Sequence, residues 1–540
     1  MKLSRLSKTS LLLFICFGID KVAAIVRQLI IARQFGMSPE LDIFNIANNL
    51  PDMLFILISG GAMAMVIIPV MTEIIDKESQ RAAWHAFSSI ANLSFLASLL
   101  LAIVIAIFAE PIVKSEIGIA PGFSLEQQAH VVAMMRLNLI ATLIFSISGL
   151  VMGSLQANQK FLLPALAPIL YNVGQIFGAV VLAPTSPYRI AGLDLPHFGM
   201  GIYGLVMGVI LGAISHLLIQ VPGLIKLNFR WTPVIDFKDF YVVKMIRILI
   251  PRVMTVFFVQ LIFIIRDNLA SRLTAGSVTA LSYGYMFQQL PETLIGTALG
   301  TAILPSLSLF YAEKNDQDFF RIIRTAIRLV LATSFGIGVL MAIGLGPLIQ
   351  AALGFEPEQH QILVWTLRGF LVGLTGHCLL EVANRAFYAQ QEPVFPLLGT
   401  ILNLFLYLVL GITLYRPLNA PGISLTDSIS FTVQALFLLW LLYRPAAVRI
   451  KIRKMSGLSR MSGMETPLEA PLTSGESSLI GRTLLRSALG AIVAGLVCLL
   501  IPRINFGNGN ILVKSIVGLM VGTVVYIPFI IPEIKLFRQF

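Results

Sequence analysis

The chain has 540 residues, 57% of them hydrophobic and only 12% charged, with a mean hydropathy of +0.86. Soluble domains carry roughly 25% charged residues, so this composition excludes a string of soluble domains and indicates an all-α polytopic membrane protein. The apolar runs are continuous rather than alternating, which excludes a β-barrel, and the net charge of +12 falls mostly in loops between runs, where it marks membrane topology and not a nucleic-acid partner.

About fourteen transmembrane helices are expected, near 10–35, 43–71, 83–108, 131–155, 162–184, 201–225, 245–270, 279–310, 322–351, 360–389, 395–415, 422–443, 482–502 and 511–532. Most of these runs are about 20 residues or longer, the length that crosses about 30 Å of hydrocarbon. Span 1 is unusual in holding Asp20, Lys21, Arg27 and Arg33, and Asp42 opens span 2. An ionisable residue costs roughly 2.5–3.5 kcal/mol at the centre of an inserted helix, so each should face a cavity or a partner. Span 6 carries Gly204, Gly208 and Gly212, and span 10 carries Gly369 and Gly373, small-residue spacings that let helices approach closely. Span 7 brings Arg252, Arg266 and Asp267; span 10 brings His377, Glu381 and Arg385 at i, i+4 and i+8, roughly one face.

A hydrophobic design recurs about 240 residues apart. Leu50-Pro51-Asp52 leads through Gly60-Gly61-Ala62 to Pro69, and Leu290-Pro291-Glu292 leads through Gly296-Thr297-Ala298 to Pro305. The repeat divides the chain into an N-lobe of helices 1–6 (1–228), a C-lobe of helices 7–12 (229–443), a basic cytoplasmic linker (444–481), and helices 13–14 (482–540). Six helices per lobe is an even number, so both lobes enter the membrane in the same direction. Two lobes built alike suggest something held between them. Basic residues concentrate in alternate loops, from Lys2, Arg5 and Lys8 to the block Arg444–Arg460, which places both termini in the cytoplasm.

Cys16, Cys378 and Cys498 all lie in apolar runs and read as small core residues. No Walker A loop, dinucleotide fingerprint or HExxH occurs, and the six histidines lack ligand spacing. The chain is therefore expected not to be an enzyme and to hold no metal or cofactor beyond a coupling cation or the membrane potential. The charges that remain suggest a cationic site for an anionic head group, because a pyrophosphate needs several Lys or Arg partners where water is scarce. Lys21, Arg27 and Arg266 are the candidate substrate-binding cations, with Asp42 and Asp267 orienting them or binding a coupling cation. Asp267, Glu381 and Arg385 are candidates for a gate or coupling element, with plain ion pairing as the alternative.

The motifs, in order, are Lys21-x5-Arg27, Phe35-Gly36, Asp42, Pro51, Gly61-Ala62 and Pro69; then Ala120-Pro121-Gly122-Phe123, Phe161, Pro164-Ala165-Leu166-Ala167-Pro168 and Asn172. Leu269-Ala270-Ser271, Gly276-Ser277-Val278, Ile303-Leu304-Pro305-Ser306-Leu307 and Arg385-Ala386-Phe387-Tyr388-Ala389 follow. Together these resemble the MviN/MurJ family, the lipid II flippases of bacterial peptidoglycan synthesis. The resemblance implies a fourteen-helix exporter fold in the cytoplasmic membrane, alternating access, and a substrate of undecaprenyl-pyrophosphoryl disaccharide-pentapeptide. It also implies contact with membrane lipids and cell-wall synthesis proteins, and a lateral groove for the lipid tail beside the last two helices. Where the family's second unit reads Tyr-Ala-x-Arg-Leu, this chain has Tyr283-Gly284-Tyr285-Met286-Phe287, and Arg266 is the candidate replacement for the arginine absent at Met286. The rival readings are a cation-coupled multidrug exporter of the same fold, a flippase for another polyprenyl-linked glycan, and a non-transporting scaffold.

Overall fold

The computed structural model describes residues 5–58, 61–190, 192–455, 468, 474–501 and 511–536. The described chain is helical apart from one short antiparallel pair, β1 (Arg189–Ile190) with β2 (Leu193–Asp194). By its contacts it divides into two compact units, Met1–Gly276 and Ser277–Phe540.

The first unit contains α1 (Arg5–Phe35), α2 (Pro39–Ile58), α3 (Gly61–Lys77), α4 (Gln80–Ile107), α5 (Ala109–Lys114), α6 (Leu125–Ala157), α7 (Leu162–Phe177), α8 (Ile202–Leu218), α9 (Val221–Lys226) and α10 (Phe240–Ser271). Its core joins Met71 and Ile74 of α3, Trp84 and Phe87 of α4, Leu150 and Leu155 of α6, and Val242 and Met245 of α10. Because α10 lends that apolar face to α3, α4 and α6, it belongs by contact to the first unit, whereas the sequence repeat assigned 229–276 to the second lobe. Helices α7 and α8 meet backbone to backbone. Gly174 faces Gly212, and a Cβ added at Gly178 would lie 2.6 Å from Gly208 Cα, so the glycine spacing of span 6 is a packing seam. Past α7 the helix widens into a π segment, Gly178–Leu182, before leaving the bundle.

The second unit contains α11 (Ser277–Glu292), α12 (Ala298–Ala312), α13 (Asp316–Leu353), α14 (Pro357–Val372), α15 (Leu374–Ala389), α16 (Val394–Leu442), α17 (Ala446–Met455), α18 (Ser474–Leu500) and α19 (Ile511–Ile534). A π segment, Thr293–Thr297, joins α11 to α12 just after Pro291. The 49-residue α16 holds two expected spans, 395–415 and 422–443. Its backbone leaves helical geometry at Asn419 (φ 54°, ψ −144°), and its two arms pair, Asn403 donating to Gln434 at 2.7 Å. Gly369 and Gly373 of α14 admit Ser424 and Ser428 of the second arm, and the Ser428 hydroxyl donates to the Gly369 carbonyl at 2.6 Å.

The last two long helices dock on α13. Ala491, Ala494 and Cys498 of α18 and Tyr526 and Ile530 of α19 pack with Ala332 and Leu340, and the Tyr526 hydroxyl donates to the Ala332 carbonyl at 2.7 Å. Glu533, 1% exposed, accepts from Arg328 at 3.0 Å, Arg486 at 2.8 Å and Thr483 at 2.7 Å. The linker expected as a loop begins with α17, whose fully buried Arg449 donates to Gln390 at 3.1 Å, while Arg453 pairs with Glu392 at 3.3 Å. Most of the remainder of that linker lies outside the described residues.

Among the described residues, ten helices are long and apolar enough to cross a membrane, or eleven if α14 and α15, bent by 41° at Gly373, form one span. The expected span 1 forms as α1, which carries Asp20, Lys21, Arg27 and Arg33.

Candidate functional site

All four candidate substrate-binding residues lie in the first unit. Helix α1 packs along α7, and the charged turns of α1 face Asn172. Arg27 donates to Asn172 Oδ1 at 2.9 Å, and Asn172 Nδ2 donates to Asp20 Oδ1 at 2.9 Å. The Arg27 Nε is buried and has no hydrogen-bond partner. Asp52 of α2 lies within Coulombic reach of both Arg27 and Tyr171. Lys21 is exposed and has no polar partner among the described residues. Chemically this is a guanidinium held by one neutral amide, with hydrogen-bonding capacity to spare and two acids nearby, a group suited to an anionic oxygen ligand.

A second polar cluster forms where α2 meets α10. Asp267, 1% exposed, accepts from Arg266 Nε at 3.1 Å and from the Asn49 amide. The Arg266 guanidinium also lies 4.9 Å from the centre of the Phe263 ring, a cation–π contact that fixes its plane. Asn49 and Asp52 are three residues apart on α2, so one helix face serves both clusters. The neighbouring Asn48 is tied to Asn138 of α6 at 2.5 Å.

Asp42 sits apart from these groups. It is 2% exposed, and its Oδ2 accepts from the Gly276 backbone N–H at 2.6 Å. Gly276 has φ +86°, and an added Cβ would lie 2.7 Å from the Met37 carbonyl oxygen, so this turn needs glycine and Asp42 holds it. Gly122 is similarly constrained, lying against the backbone of Ser271 and Arg272. Arg33 is exposed on α1, and the side chain of Arg252 lies outside the described residues.

In the second unit Glu381 and Arg385 pair at 3.0 Å, each 26% exposed. Their helix also carries His377, whose Nε2 lies 2.9 Å from Asp427 and whose Nδ1 lies 3.9 Å from Glu292. Sequence reasoning assigned no role to Asp52, Asn172, Asn49, Glu292 or Asp427. The first and fourth were legible as the acids that end the duplicated Leu-Pro-acid motif; the asparagines carry no charge to draw notice.

Long apolar helices that enclose ionisable side chains define a membrane transporter. The fold is shared with a solved structure described as "Lipid II flippase MurJ, inward closed conformation" (TM-score 0.73, 20% identity, 98% of this chain and 99% of that one). It is also shared with an inward-facing MATE family transporter of the MOP superfamily (TM-score 0.63, 15% identity, 81% and 96%). Residues 31–467 match the family described as Lipid II flippase MurJ, and the chain belongs to that family. Its relatives include the lipid II flippase MurJ of Burkholderia cenocepacia, 27% identical across 69% of this chain and 71% of that protein. The probable lipid II flippase MurJ of Vibrio cholerae is 26% identical across 79% and 81%.

Proposed function

We propose that this chain carries lipid II, the undecaprenyl-pyrophosphate-linked peptidoglycan precursor, across the bacterial cytoplasmic membrane by alternating access. The observation that carries this reading at the level of the site is Arg27: a guanidinium within an apolar helix, oriented by Asn172, with a buried Nε left unpartnered. A buried donor without an acceptor costs about 1–3 kcal/mol, and an anionic head group would remove that cost while it is bound. Lys21 supplies a second, accessible cation six residues earlier, and Arg266 a third, already balanced by Asp267.

Translocation breaks no bond in the cargo, so the chain acts as a transporter and not as a catalyst. The duplicated sequence supports six-helix repeats at 1–228 and 229–443, followed by the linker and helices 13–14. The distribution of Lys and Arg supports both termini in the cytoplasm. Membrane potential or a cation would drive the cycle, and cell-wall synthesis proteins are the partners that would supply and use the cargo.

The test is mass spectrometry of lipids that co-purify with the protein, paired with protease-free accessibility of lipid II in cells depleted of their own flippase. Enrichment of lipid II, and restored arrival at the outer face, are expected. A preparation enriched only in bulk phospholipid, from cells whose lipid II stays inside, would overturn the reading.

A further inference from the structure

In the second unit one histidine stands between two acids. His377 of α15 is 4% exposed, with Nε2 2.9 Å from Asp427 Oδ2 of α16 and Nδ1 3.9 Å from Glu292 Oε1 of α11. Its ring stacks on Phe431 with centroids 4.2 Å apart, which covers one face. One turn along α15, Glu381 is engaged by Arg385 at 3.0 Å. Among the described residues the charges that act on the ring are Asp427, Glu292 and Glu381; of the other elements packed on α15, the π segment brings Gly296 to Cys378, α12 brings Gly300 to Arg385, and α13 brings Ser334 to Thr375.

Three carboxylates thus act on one imidazole, and the single guanidinium of the cluster, Arg385, pairs with only one of them, Glu381. A neutral imidazole has one N–H and one lone pair, so it can satisfy only one of its two acidic neighbours. The other ring nitrogen then meets carboxylate oxygen lone pair to lone pair, and the Glu292 Oε2 is itself buried without a hydrogen bond. One added proton on the ring turns the lone-pair approach to Glu292 into an attraction.

We propose that Glu292, His377 and Asp427 form a proton-binding site that couples translocation to the proton gradient. Loading forms one N–H bond on the imidazole, with the proton taken from water, and unloading reverses it; no other bond changes. Glu381 and Arg385, each 26% exposed, and Glu292, 17% exposed, are the most accessible groups of the cluster. The coupling rests on the lipid II reading above, whereas the proton site does not.

Two measurements separate them. In proteoliposomes with labelled lipid II and the potential clamped at zero, a gradient of one pH unit should speed wild-type translocation by up to about tenfold. Relative to their own rate at symmetric pH, His377→Gln and Asp427→Asn should lose the acceleration, and Asp427→Glu should recover it. Acceleration that survives in both variants, or is missing in the wild type, overturns the coupling. Independently of cargo, nitrogen NMR of ¹⁵N-histidine-labelled protein in nanodiscs should show a signal, absent in His377→Gln, that changes protonation state between about pH 5 and 8 and whose midpoint moves in Asp427→Asn. A His377 signal that stays constant across that range overturns the site. No lipid II movement by the wild type under any gradient counts against the lipid II reading, and the NMR result then decides the site alone.

Discussion

Arg27 and Asp20, seven residues apart on α1, are joined through a single neutral amide: Asn172 accepts from the first at 2.9 Å and donates to the second at 2.9 Å. The base is therefore oriented by the acid's partner without being cancelled by direct contact. Arg27→Ala should abolish rescue of a strain depleted of its lipid II flippase while the protein still reaches the membrane, as charge-assisted hydrogen bonds contribute about 1.5–3 kcal/mol each. Asn172→Ala should lower rescue to an intermediate level, because Arg27 is then free to collapse onto Asp20. Growth curves with membrane immunoblots check both, and full rescue by Arg27→Ala would remove the residue from the binding site.

Asp42 supports a turn in this structure, which separates it experimentally from the α1 cations. Asp42→Asn keeps an oxygen that can accept from Gly276 and should melt close to wild type. Asp42→Ala strands a buried N–H and should cost about 1–3 kcal/mol. Gly276→Ala, at φ +86°, should destabilise as well. Thermal melting in detergent reads all three. An Asp42→Ala protein that melts normally but fails to transport would instead assign Asp42 to the cargo.

Glu533 fastens α19 to α13 and α18 by accepting from Arg328, Arg486 and Thr483. Removing one partner from a buried charge cluster costs about 3–5 kcal/mol. Glu533→Ala should therefore lower the melting temperature by several degrees. Replacing Glu533 and Arg328 together by Leu and Met should recover much of the loss, and an unchanged melt in the single variant would contradict the fastening role.

Glu73 lies at the end of α3, beyond the span. Hydrogen bonds from Lys244 at 2.5 Å and Lys77 at 2.9 Å hold its carboxyl below the ordinary value of 4.5. A carboxyl depressed in the folded state adds stability above its unfolded value, and that stability is lost as pH falls through the folded value. Glu73→Gln should thus melt lower than wild type at pH 7, and the two proteins should converge as pH falls below the ordinary carboxyl value and through the depressed one. A difference that persists unchanged into acid would mean that packing, and not charge, ties α3 to α10.

Much of the architecture was legible because apolar length and proline position survive translation into structure. Span 8 runs as one helical path, Ser277–Ala312, and the glycine spacings of spans 6 and 10 became seams against Gly174, Gly178, Ser424 and Ser428. The reversal at Asn419 and the docking of α17 through Arg449 were not legible. A turn between two spans carries no hydrophobic period, and a basic residue in a basic linker gives no sign that it will be buried. At the site, formal charge directed attention to Lys21, Arg27 and Arg266 but passed over Asn172 and Asn49, since the amides that orient charges have none themselves.

The duplicated Leu-Pro-acid motif also has a historical consequence. A chain made by doubling begins with two identical acids doing identical work, and redundancy of that kind frees one copy to change. Here Asp52 lies within Coulombic reach of Arg27, a group charged at every physiological pH, while Glu292 lies 3.9 Å from His377, a group whose charge follows its surroundings. The two copies of one motif thus sit beside cations of different kinds, one fixed in its charge and one that a single proton switches on.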